Sequence, residues 1–168
     1  MFIFSYKKTR CINGCILFND NSSYLYWEKK SVTKDESEII KFIKKNNYNK
    51  KTDILHVGTG NSFVASNLDY FSKIDGITIS GNELLHARKL NIKNYNISFL
   101  NKYSKDAFSE KERSNHYDLI IDANLKSFSC CIAAFENLFK EYVLMLNNNG
   151  EIITGRAGMN WSRQVRPV

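Results

Sequence analysis

Apolar residues follow two different spacings along most of this chain. Short apolar runs, bounded by polar or turn-forming residues, predict strands near residues 53–58, 75–80, 96–100, 117–122 and 150–154. Apolar residues that recur every three or four positions predict helices near residues 34–46, 62–72, 82–90 and 128–146. Strands that alternate with helices build a mostly parallel sheet with helices on both faces. The pattern therefore predicts an α/β fold.

The first and last predicted helices carry clear signals. Thr33 is a candidate N-cap, and Glu36 three residues later completes the sequence of a capping box. The apolar face of the first helix is expected to contain Ile39, Ile40, Phe42 and Ile43. In the last helix the spacing predicts a core-facing side made of Phe128, Cys131, Ile132, Phe135, Leu138, Phe139, Tyr142, Val143 and Leu146.

The first predicted strand ends in a glycine turn, residues 58–62, with the sequence Gly-Thr-Gly-Asn-Ser. Gly58 and Gly60 allow a tight turn and leave room beside the backbone, and Ser62 supplies a third small residue. A strand, a glycine turn and a helix are typical of nucleotide-binding units, although an ordinary strand–helix turn with two glycines has the same pattern. Thr78 ends the second predicted strand 20 residues after Gly58, where such units place a partner for ribose hydroxyls. Ser80 is a candidate N-cap for the helix that follows.

Four segments, in order, resemble those of one family, the class I S-adenosylmethionine-dependent methyltransferases. Residues 54–62 resemble its glycine motif, and residues 76–88 (GITISGNELLHAR) resemble a segment of the cyclopropane fatty acid synthase branch. Residues 117–122 (YDLIID) resemble its fourth-strand motif, and residues 146–154 resemble the turn into its fifth strand. The resemblance covers about residues 35–155. It implies a Rossmann-like methyltransferase sheet.

The resemblance also implies a cofactor, S-adenosylmethionine, and methyl transfer to a small molecule, with an anionic metabolite or a sugar as the favoured acceptor. Asp122 and His56 are the candidate catalytic residues, either to orient the amino group of the cofactor or to act as the base. Thr78 and Glu83 fall where ribose contacts are expected. The positions matched to cofactor contacts are His56, Gly58, Thr59, Gly60, Asn61, Ser62, Thr78, Ile79, Glu83, Tyr103 and Asp122.

Three positions depart from the family pattern. His56 stands where the family usually has a carboxylate at the end of the first strand. A neutral imidazole accepts a hydrogen bond, whereas an imidazolium repels an ammonium group. Thr78 stands where the family usually has a carboxylate that binds ribose, at the end of the second strand. Tyr103 stands where the family often has an acidic residue near adenine. Two interpretations of Tyr103 are open: it stacks on adenine, or it is an exposed loop residue. These losses leave a catalytically degenerate binding or regulatory subunit as an alternative.

Acceptor contacts are expected on loops at the carboxyl ends of the strands, where ligands bind in open α/β sheets. Lys126 and Arg156 are suited to an anionic acceptor, and solvated loop charges are the alternative. The candidate substrate-binding residues are Asn124, Lys126, Arg156 and Trp161.

The net charge of +7 raises a further alternative, an RNA methyltransferase. The lysines are spread along the chain and no basic motif with interleaved aromatic residues is present, so the sequence does not favour nucleic acid as a partner. An aminopropyltransferase-like enzyme is a fourth hypothesis, but Ala123, Asn124, Leu125 and Lys126 after Asp122 offer no acidic pair for a polyamine.

The remaining features concern location and organisation. No apolar run approaches membrane-spanning length and residues 1–8 do not resemble a signal peptide, so a cytoplasmic protein that does not bind membranes is expected. The four cysteines match no common zinc spacing, so structural thiols and no metal are expected.

Residues 2–6, 14–18 and 23–28 predict short strands. Residues 1–30 are thus expected to be an accessory β segment, which covers a sheet edge, forms a lid or makes a homo-oligomer contact, and residues 31–168 the main domain. Residues 155–168 are too few for the helix and strand pair that end the family's sheet, so a shortened C-terminus is expected.

Overall fold

A computed structural model describes residues 32–46, 48–103, 107–108, 117–126, 129 and 132–159. Within this part, helices and strands alternate as the sequence predicts. The helices are α1 (Lys34–Lys45), α2 (Phe63–Asn67), α3 (Gly81–Lys89) and α4 (Ile132–Met145), followed by a short 3-10 turn at Ala157–Met159. The strands are β1 (Asp53–Val57), β2 (Lys73–Thr78), β3 (Tyr95–Phe99), β4 (Tyr117–Asp122) and β5 (Leu146–Ile153).

The five strands form one parallel sheet in the order β3-β2-β1-β4-β5. Because β1 and β4 are neighbours while β2 and β3 lie on the other side, the chain reverses its winding direction beside β1. The carboxyl ends of β1 and β4 therefore meet at a switch point, where open α/β sheets bind ligands. The α/β prediction and the parallel sheet are confirmed.

Side chains of the central strands alternate between two apolar layers, as the period of two in a strand requires. Ile54 faces the layer that contains Ile43 of α1 and Val64 of α2. Leu55, the next residue, faces the opposite layer, which contains Tyr142 of α4. Helices thus cover both faces of the sheet.

The start of α1 has the capping box that the sequence predicts. The Thr33 side chain accepts a hydrogen bond from the backbone N–H of Glu36 at 3.2 Å, and the backbone N–H of Thr33 donates to the Glu36 carboxylate at 3.0 Å. Ile39, Ile40 and Ile43 are buried as expected. The prediction for Phe42 is wrong, since its side chain is 47% exposed.

Helix α2 is shorter than the predicted span of 62–72. Ser66 and Asn67 each donate a side-chain hydrogen bond to a helical carbonyl, those of Ser62 and Phe63, respectively. Such bonds compete with the helical pattern, and the chain leaves α2 at Asn67. Leu68 and Phe71 remain fully buried after the helix ends, which explains why the apolar spacing continues.

Helix α4 buries a narrower stripe than its sequence pattern predicts. Ala134, Leu138, Tyr142 and Met145 are its buried residues, and Leu138 and Tyr142 are among those expected. The predictions for Phe139 and Val143 are wrong, because these side chains are 42% and 52% exposed, respectively. Each of the two lies one position beyond a buried residue, which rotates it by about 100° away from the sheet.

Strand β5 begins earlier than the predicted 150–154, because the turn resembling the family's fifth-strand motif is part of the strand. Tyr117 pairs with Leu146 and Leu119 with Glu151, so the register shifts between the two pairs. The extra residues form a bulge in which Asn149 has a φ of 69°.

Several predictions lie outside the described residues. These are the strands at 2–6, 14–18 and 23–28, the four cysteines and Trp161. Within the described part of the chain, no helix is long and apolar enough to cross a membrane.

Candidate functional site

The glycine turn has three residues with positive φ. The φ angles are 70° for Gly58, 51° for Gly60 and 61° for Ser62. The N–H of Gly58 donates to the carbonyl of Ile77 at 2.9 Å, which extends the β1–β2 pairing to the start of the turn. A Cβ added to Gly58 would meet no atom of the described residues within 4 Å, and Gly58 is exposed. The turn therefore leaves open space beside its backbone at the carboxyl end of β1.

The end of β2 carries a buried hydrogen-bonded cluster. The Thr78 hydroxyl donates to Oε2 of Glu83 and accepts from the N–H of Ser80 at 3.0 Å. Ser80 caps α3 as predicted, since its Oγ accepts from the N–H of Glu83 at 3.4 Å. Ile79 lies half-buried between the two polar residues. Thus the two predicted ribose contacts, Thr78 and Glu83, lie side by side.

Glu83 is 7% exposed, and burial raises the pKa of its carboxyl group. The hydrogen bond from Thr78 opposes this shift, and the charge of Glu36 adds to it. The Thr78 bond engages Oε2 and leaves Oε1 outside that contact. A carboxylate held in this way accepts hydrogen bonds from hydroxyl groups such as those of a ribose.

His56 lies in the centre of the sheet, on the same face as Ile54, and is 1% exposed. Burial lowers the pKa of its imidazole to about 4, so the ring is neutral near pH 7. Its Nδ1 has no hydrogen-bond partner among the described residues. A ring enclosed by the core has no route for proton exchange with an acceptor, so the geometry favours a neutral polar residue behind the glycine turn over a base.

Asp122 ends β4 and points to the face that α4 covers. Its Oδ2 accepts from Nζ of Lys102 at 2.7 Å and from the Tyr142 hydroxyl at 2.9 Å. Its Oδ1 accepts from the N–H of Asn124 at 3.0 Å. Asp122 is 1% exposed, so its charge is balanced almost entirely by these donors. Burial, together with the adjacent Asp122 charge, raises the pKa of Tyr142 well above its usual value.

The loop after β3 reaches across the sheet to the loop after β4. Lys102 donates to the carbonyl of Asn124 at 2.8 Å, and its Nζ lies 5.0 Å from the centre of the Tyr103 ring. The Tyr103 hydroxyl donates to the carbonyl of Leu125 at 3.4 Å. Tyr103 is half-buried against the α4 layer, so it is more firmly held than an exposed loop residue.

The candidate acceptor contacts surround the end of β4. Asn124 and Arg156 are exposed, and Lys126 is half-buried, with Nζ 5.9 Å from the centre of the Phe135 ring. The N–H of Lys126 donates to the carbonyl of Gly158 at 2.9 Å. A Cβ added to Gly158 would lie 1.8 Å from the carbonyl oxygen of Ala123, so the 3-10 turn is seated directly on the β4 loop.

Sequence reasoning missed Lys102, Tyr142 and Tyr95 as parts of this edge. Lys102 adjoins Tyr103 in sequence, but nothing local indicates that it pairs with Asp122 20 positions away. Tyr142 has the spacing of a core residue, so the sequence did not indicate that its hydroxyl binds Asp122. Tyr95 contacts Ser62 of the glycine turn from the edge strand, a pairing that only the sheet order creates.

A cavity of about 140 Å³ lies elsewhere, between β2, β3 and Tyr117. Asp75, Asn96 and Ser98 are among its lining residues, and none of the predicted site residues lines it. Within the described residues, no group of His, Cys, Asp and Glu side chains is arranged to hold a metal ion. We therefore place the candidate site at the open strand ends.

Comparisons with known proteins identify the fold. No family model and no curated protein sequence matches the chain. The DhpI-SAM-HEP complex matches with a TM-score of 0.63 at 12% identity, over 80% of this chain and 60% of that one. A second match is SAM-bound CalS10 from Micromonospora echinaspora, an amino pentose methyltransferase involved in calicheamicin biosynthesis. Its TM-score is 0.58 at 13% sequence identity, over 83% of this chain and 57% of that one. The [4+2]-cyclase SpnF matches with a TM-score of 0.55 at 16% sequence identity, over 85% of this chain and 50% of that one.

The chain thus has the class I S-adenosylmethionine-dependent methyltransferase fold, as the motif resemblance implied. It spans between 50% and 60% of the lengths of these three relatives. The same fold includes the cyclase SpnF, so the fold alone does not define the reaction.

The residues at the strand ends fit the cofactor that the fold suggests. Among the residues that the structure describes, none places an atom in the space beside Gly58, as close approach of a ligand to the backbone requires. Glu83 places a buried carboxylate, a group that accepts hydrogen bonds from hydroxyls, near the neighbouring strand end. His56 is neutral and therefore does not repel an ammonium group.

Proposed function

We propose that the chain binds S-adenosylmethionine and transfers its methyl group to a small-molecule acceptor. The observation that carries the proposal is the open space at Gly58 beside the buried Thr78–Glu83 pair. Both lie at the carboxyl edge of a β3-β2-β1-β4-β5 sheet. When bound, the cofactor supplies a methyl group activated by a sulfonium, so the protein must mainly bind and align the two reactants.

The proposed cofactor contacts divide between two strand ends. The glycine turn, with Thr59 and Asn61 between its small residues, holds the methionine part. Glu83, oriented by Thr78, accepts hydrogen bonds from ribose hydroxyls, and Ile79 and Tyr103 supply apolar contact for the base. His56 supports the turn as a neutral residue. Glu83 partly offsets the carboxylate that His56 replaces, whereas the charge of Asp122 is already paired with Lys102.

Asp122 is proposed to position other groups rather than to abstract a proton. Three donors already engage its two oxygens, which leaves little capacity for a substrate proton. It holds Lys102, and the ammonium of Lys102 retains one N–H beyond its bonds to Asp122 and Asn124. We propose that this N–H, with Lys126 and Arg156, contacts an anionic acceptor. A sugar that carries a phosphate or carboxylate is therefore the first compound class to screen, and an amino sugar, the acceptor class of CalS10, is the contrast because its amine is basic.

Calorimetric titration with S-adenosylhomocysteine, the product expected of the cofactor, tests the proposal. We expect dissociation constants on the order of micromolar, and a large loss for Gly58→Asp, because its side chain enters the open space. Ser72→Ala is the matched control, since it removes only the 2.6 Å bond to Asp53 at the opposite edge of the sheet. No binding to the parent chain at millimolar ligand would overturn the proposal.

The acceptor class has its own test, a methyl-transfer assay with acceptors that differ only in a phosphate or carboxylate group. Arg156→Ala should raise KM for the anionic acceptor several-fold and leave the neutral one unchanged. Equal effects on both acceptors would remove the anionic group from the proposal.

A binding or regulatory subunit without catalysis is the second candidate, and the saturated Asp122 favours it. Binding of S-adenosylhomocysteine without methyl transfer across the acceptor screen would support it, and turnover with any acceptor would exclude it.

Partners other than a small molecule remain predictions. An RNA acceptor would give binding that weakens steeply with salt, because phosphate contacts release counterions. Salt titration of RNA binding separates this hypothesis from small-molecule methyl transfer. A homo-oligomer is tested by light scattering of the full chain, and a cytoplasmic location by fractionation of cells that express it.

A further inference from the structure

Tyr95 is the first residue of the edge strand β3, but its side chain reaches the glycine turn that follows β1. It pairs with Ile74 of β2, and its side chain lies on the same face of the sheet as Ile74. Its hydroxyl lies 3.1 Å from Oγ of Ser62, the last residue of the glycine turn. The side chain therefore spans β2 and contacts the segment that follows β1.

The space for this contact comes from Gly76. A Cβ at position 76 would lie 2.7 Å from Cε2 and 2.8 Å from the hydroxyl of Tyr95, and 2.9 Å from Cγ2 of Thr59. The side chains of Tyr95 and Thr59 thus meet above a residue without a side chain. Any larger residue in the middle of β2 would separate the tyrosine from the turn.

The backbone carbonyl of Ser62 accepts from the N–H and the hydroxyl of Ser66 at 3.0 and 3.1 Å, whereas its side chain contacts Tyr95. The φ of Ser62 is 61°, a strained region for a residue with a side chain, and its hydroxyl makes no capping bond to α2. Helix α2 has only five residues, so it contributes little rigidity of its own. A backbone bond from the N–H of Ser62 to the carbonyl of Thr59, at 2.8 Å, closes the turn.

We propose that Tyr95 is a positioning residue that holds the glycine turn in its binding shape before the cofactor arrives. The Ser62 hydrogen bond fixes the left-handed residue, and the ring fixes Thr59 over Gly76. This inference rests on the proposed function for its effect on affinity, but its effect on the turn itself does not depend on any ligand. Preorganisation of this kind raises affinity because less conformational entropy is lost on binding.

Amide exchange measured by NMR on the chain without ligand tests the effect on the turn. Tyr95→Phe keeps the ring and removes the hydroxyl, and Ser62→Ala removes the partner. Each should increase the exchange rate of the Ser62 amide several-fold, while the Gly58 amide, bonded to Ile77, stays unchanged. The double variant should exchange no faster than either single variant.

Titration with S-adenosylhomocysteine tests the consequence. Tyr95→Phe should weaken binding about three- to tenfold, the range for one neutral hydrogen bond, and Gly76→Ala should resemble it because the ring is displaced. Tyr48→Phe is the matched control, since it removes the Tyr48–Glu151 hydrogen bond away from the turn. The control should leave affinity and Ser62 exchange unchanged.

The outcomes separate this inference from the proposed function. A lower melting temperature for Tyr95→Phe with unchanged Ser62 exchange would overturn the positioning role. Faster exchange with unchanged affinity would confine the role to the fold and overturn preorganisation for binding. If the parent chain does not bind S-adenosylhomocysteine, the proposed function fails, and the exchange result still decides whether Tyr95 holds the turn.

Discussion

The Nζ of Lys102 lies 2.7 Å from Oδ2 of Asp122, and this ion pair joins the loop after β3 to the loop after β4. Only 13% of the lysine side chain and 1% of the aspartate side chain are exposed. The pair therefore differs from a surface contact such as Lys34–Glu38, where 86% and 63% of the side chains are exposed.

Removing one member of a buried pair leaves the other charge without compensation. We expect Lys102→Met to lower the free energy of unfolding by about 3–5 kcal/mol, because Asp122 stays buried beside Tyr142. Urea denaturation measures the change. Lys34→Met is the control and should have no measurable effect. Equal stabilities for the two variants would show that the Asp122 charge is compensated without Lys102.

His56 should make stability depend on pH. Its pKa is about 4 in the folded chain and near 6.5 when exposed, so the unfolded chain binds a proton first as the pH falls. The contribution of neutral His56 to the free energy of unfolding is therefore fully present above about pH 6.5. It is lost as the pH falls from 6.5 to 4, by up to about 3 kcal/mol. His56→Gln removes this contribution. Urea denaturation from pH 5 to 8 should give a steeper loss for the parent chain than for the variant, and parallel curves would contradict the prediction.

Glu83 should contribute to cofactor affinity. Glu83→Gln removes the charge that accepts ribose hydroxyls, and we expect binding of S-adenosylhomocysteine to weaken by about 1–3 kcal/mol, the range for a hydrogen bond to a charged group. Asp118→Asn is the control, because the half-buried Asp118 carboxylate accepts 2.8 Å hydrogen bonds from the N–H of Asp53 and from the Asn147 amide at the amino ends of the strands. It should reduce stability and leave affinity within about twofold. Equal affinity losses would indicate a general effect of removing a carboxylate.

Gly58 and Gly81 offer a comparison of backbone strain. Within the described part of the chain, a Cβ at either position would meet no atom within 4 Å, but of the two glycines only Gly58 has a positive φ. Gly58→Ala should therefore lower the free energy of unfolding by about 1–2 kcal/mol. Gly81→Ala, in the first turn of α3, should raise it by about 0.5–1 kcal/mol, because alanine loses less entropy in a helix. Thermal denaturation of both variants checks the opposite signs.

Local sequence was sufficient for features that depend on neighbouring residues. The Thr33–Glu36 capping box, the Ser80 cap and the strand–helix alternation each follow from spacing within a few positions. The early end of α2 was not predicted, because the side chains of Ser66 and Asn67 compete with the helix while the apolar spacing continues. The exposed Phe42 and Phe139 show that an apolar residue at the margin of a helical stripe need not face the core.

The arrangement of side chains at the strand ends was predicted in part. The motif resemblance placed the glycine turn, Thr78 and Glu83 at strand ends, and the structure brings Thr78 and Glu83 into contact. The contacts of Lys102 with Asp122 and of Tyr95 with Ser62 depend on which strands are neighbours. Sequence spacing carries no such information, so these partners became visible only with the sheet order.

The close contact between Gly158 and Ala123 has a consequence for variation among relatives. The two residues lie 35 positions apart in sequence, yet a single methyl group at position 158 would collide with the Ala123 carbonyl. The loop after β4 and the 3-10 turn are therefore packed directly against each other. Lengthening or reshaping either segment alone would push the other aside, so changes in this corner are expected to arise through paired substitutions in both segments.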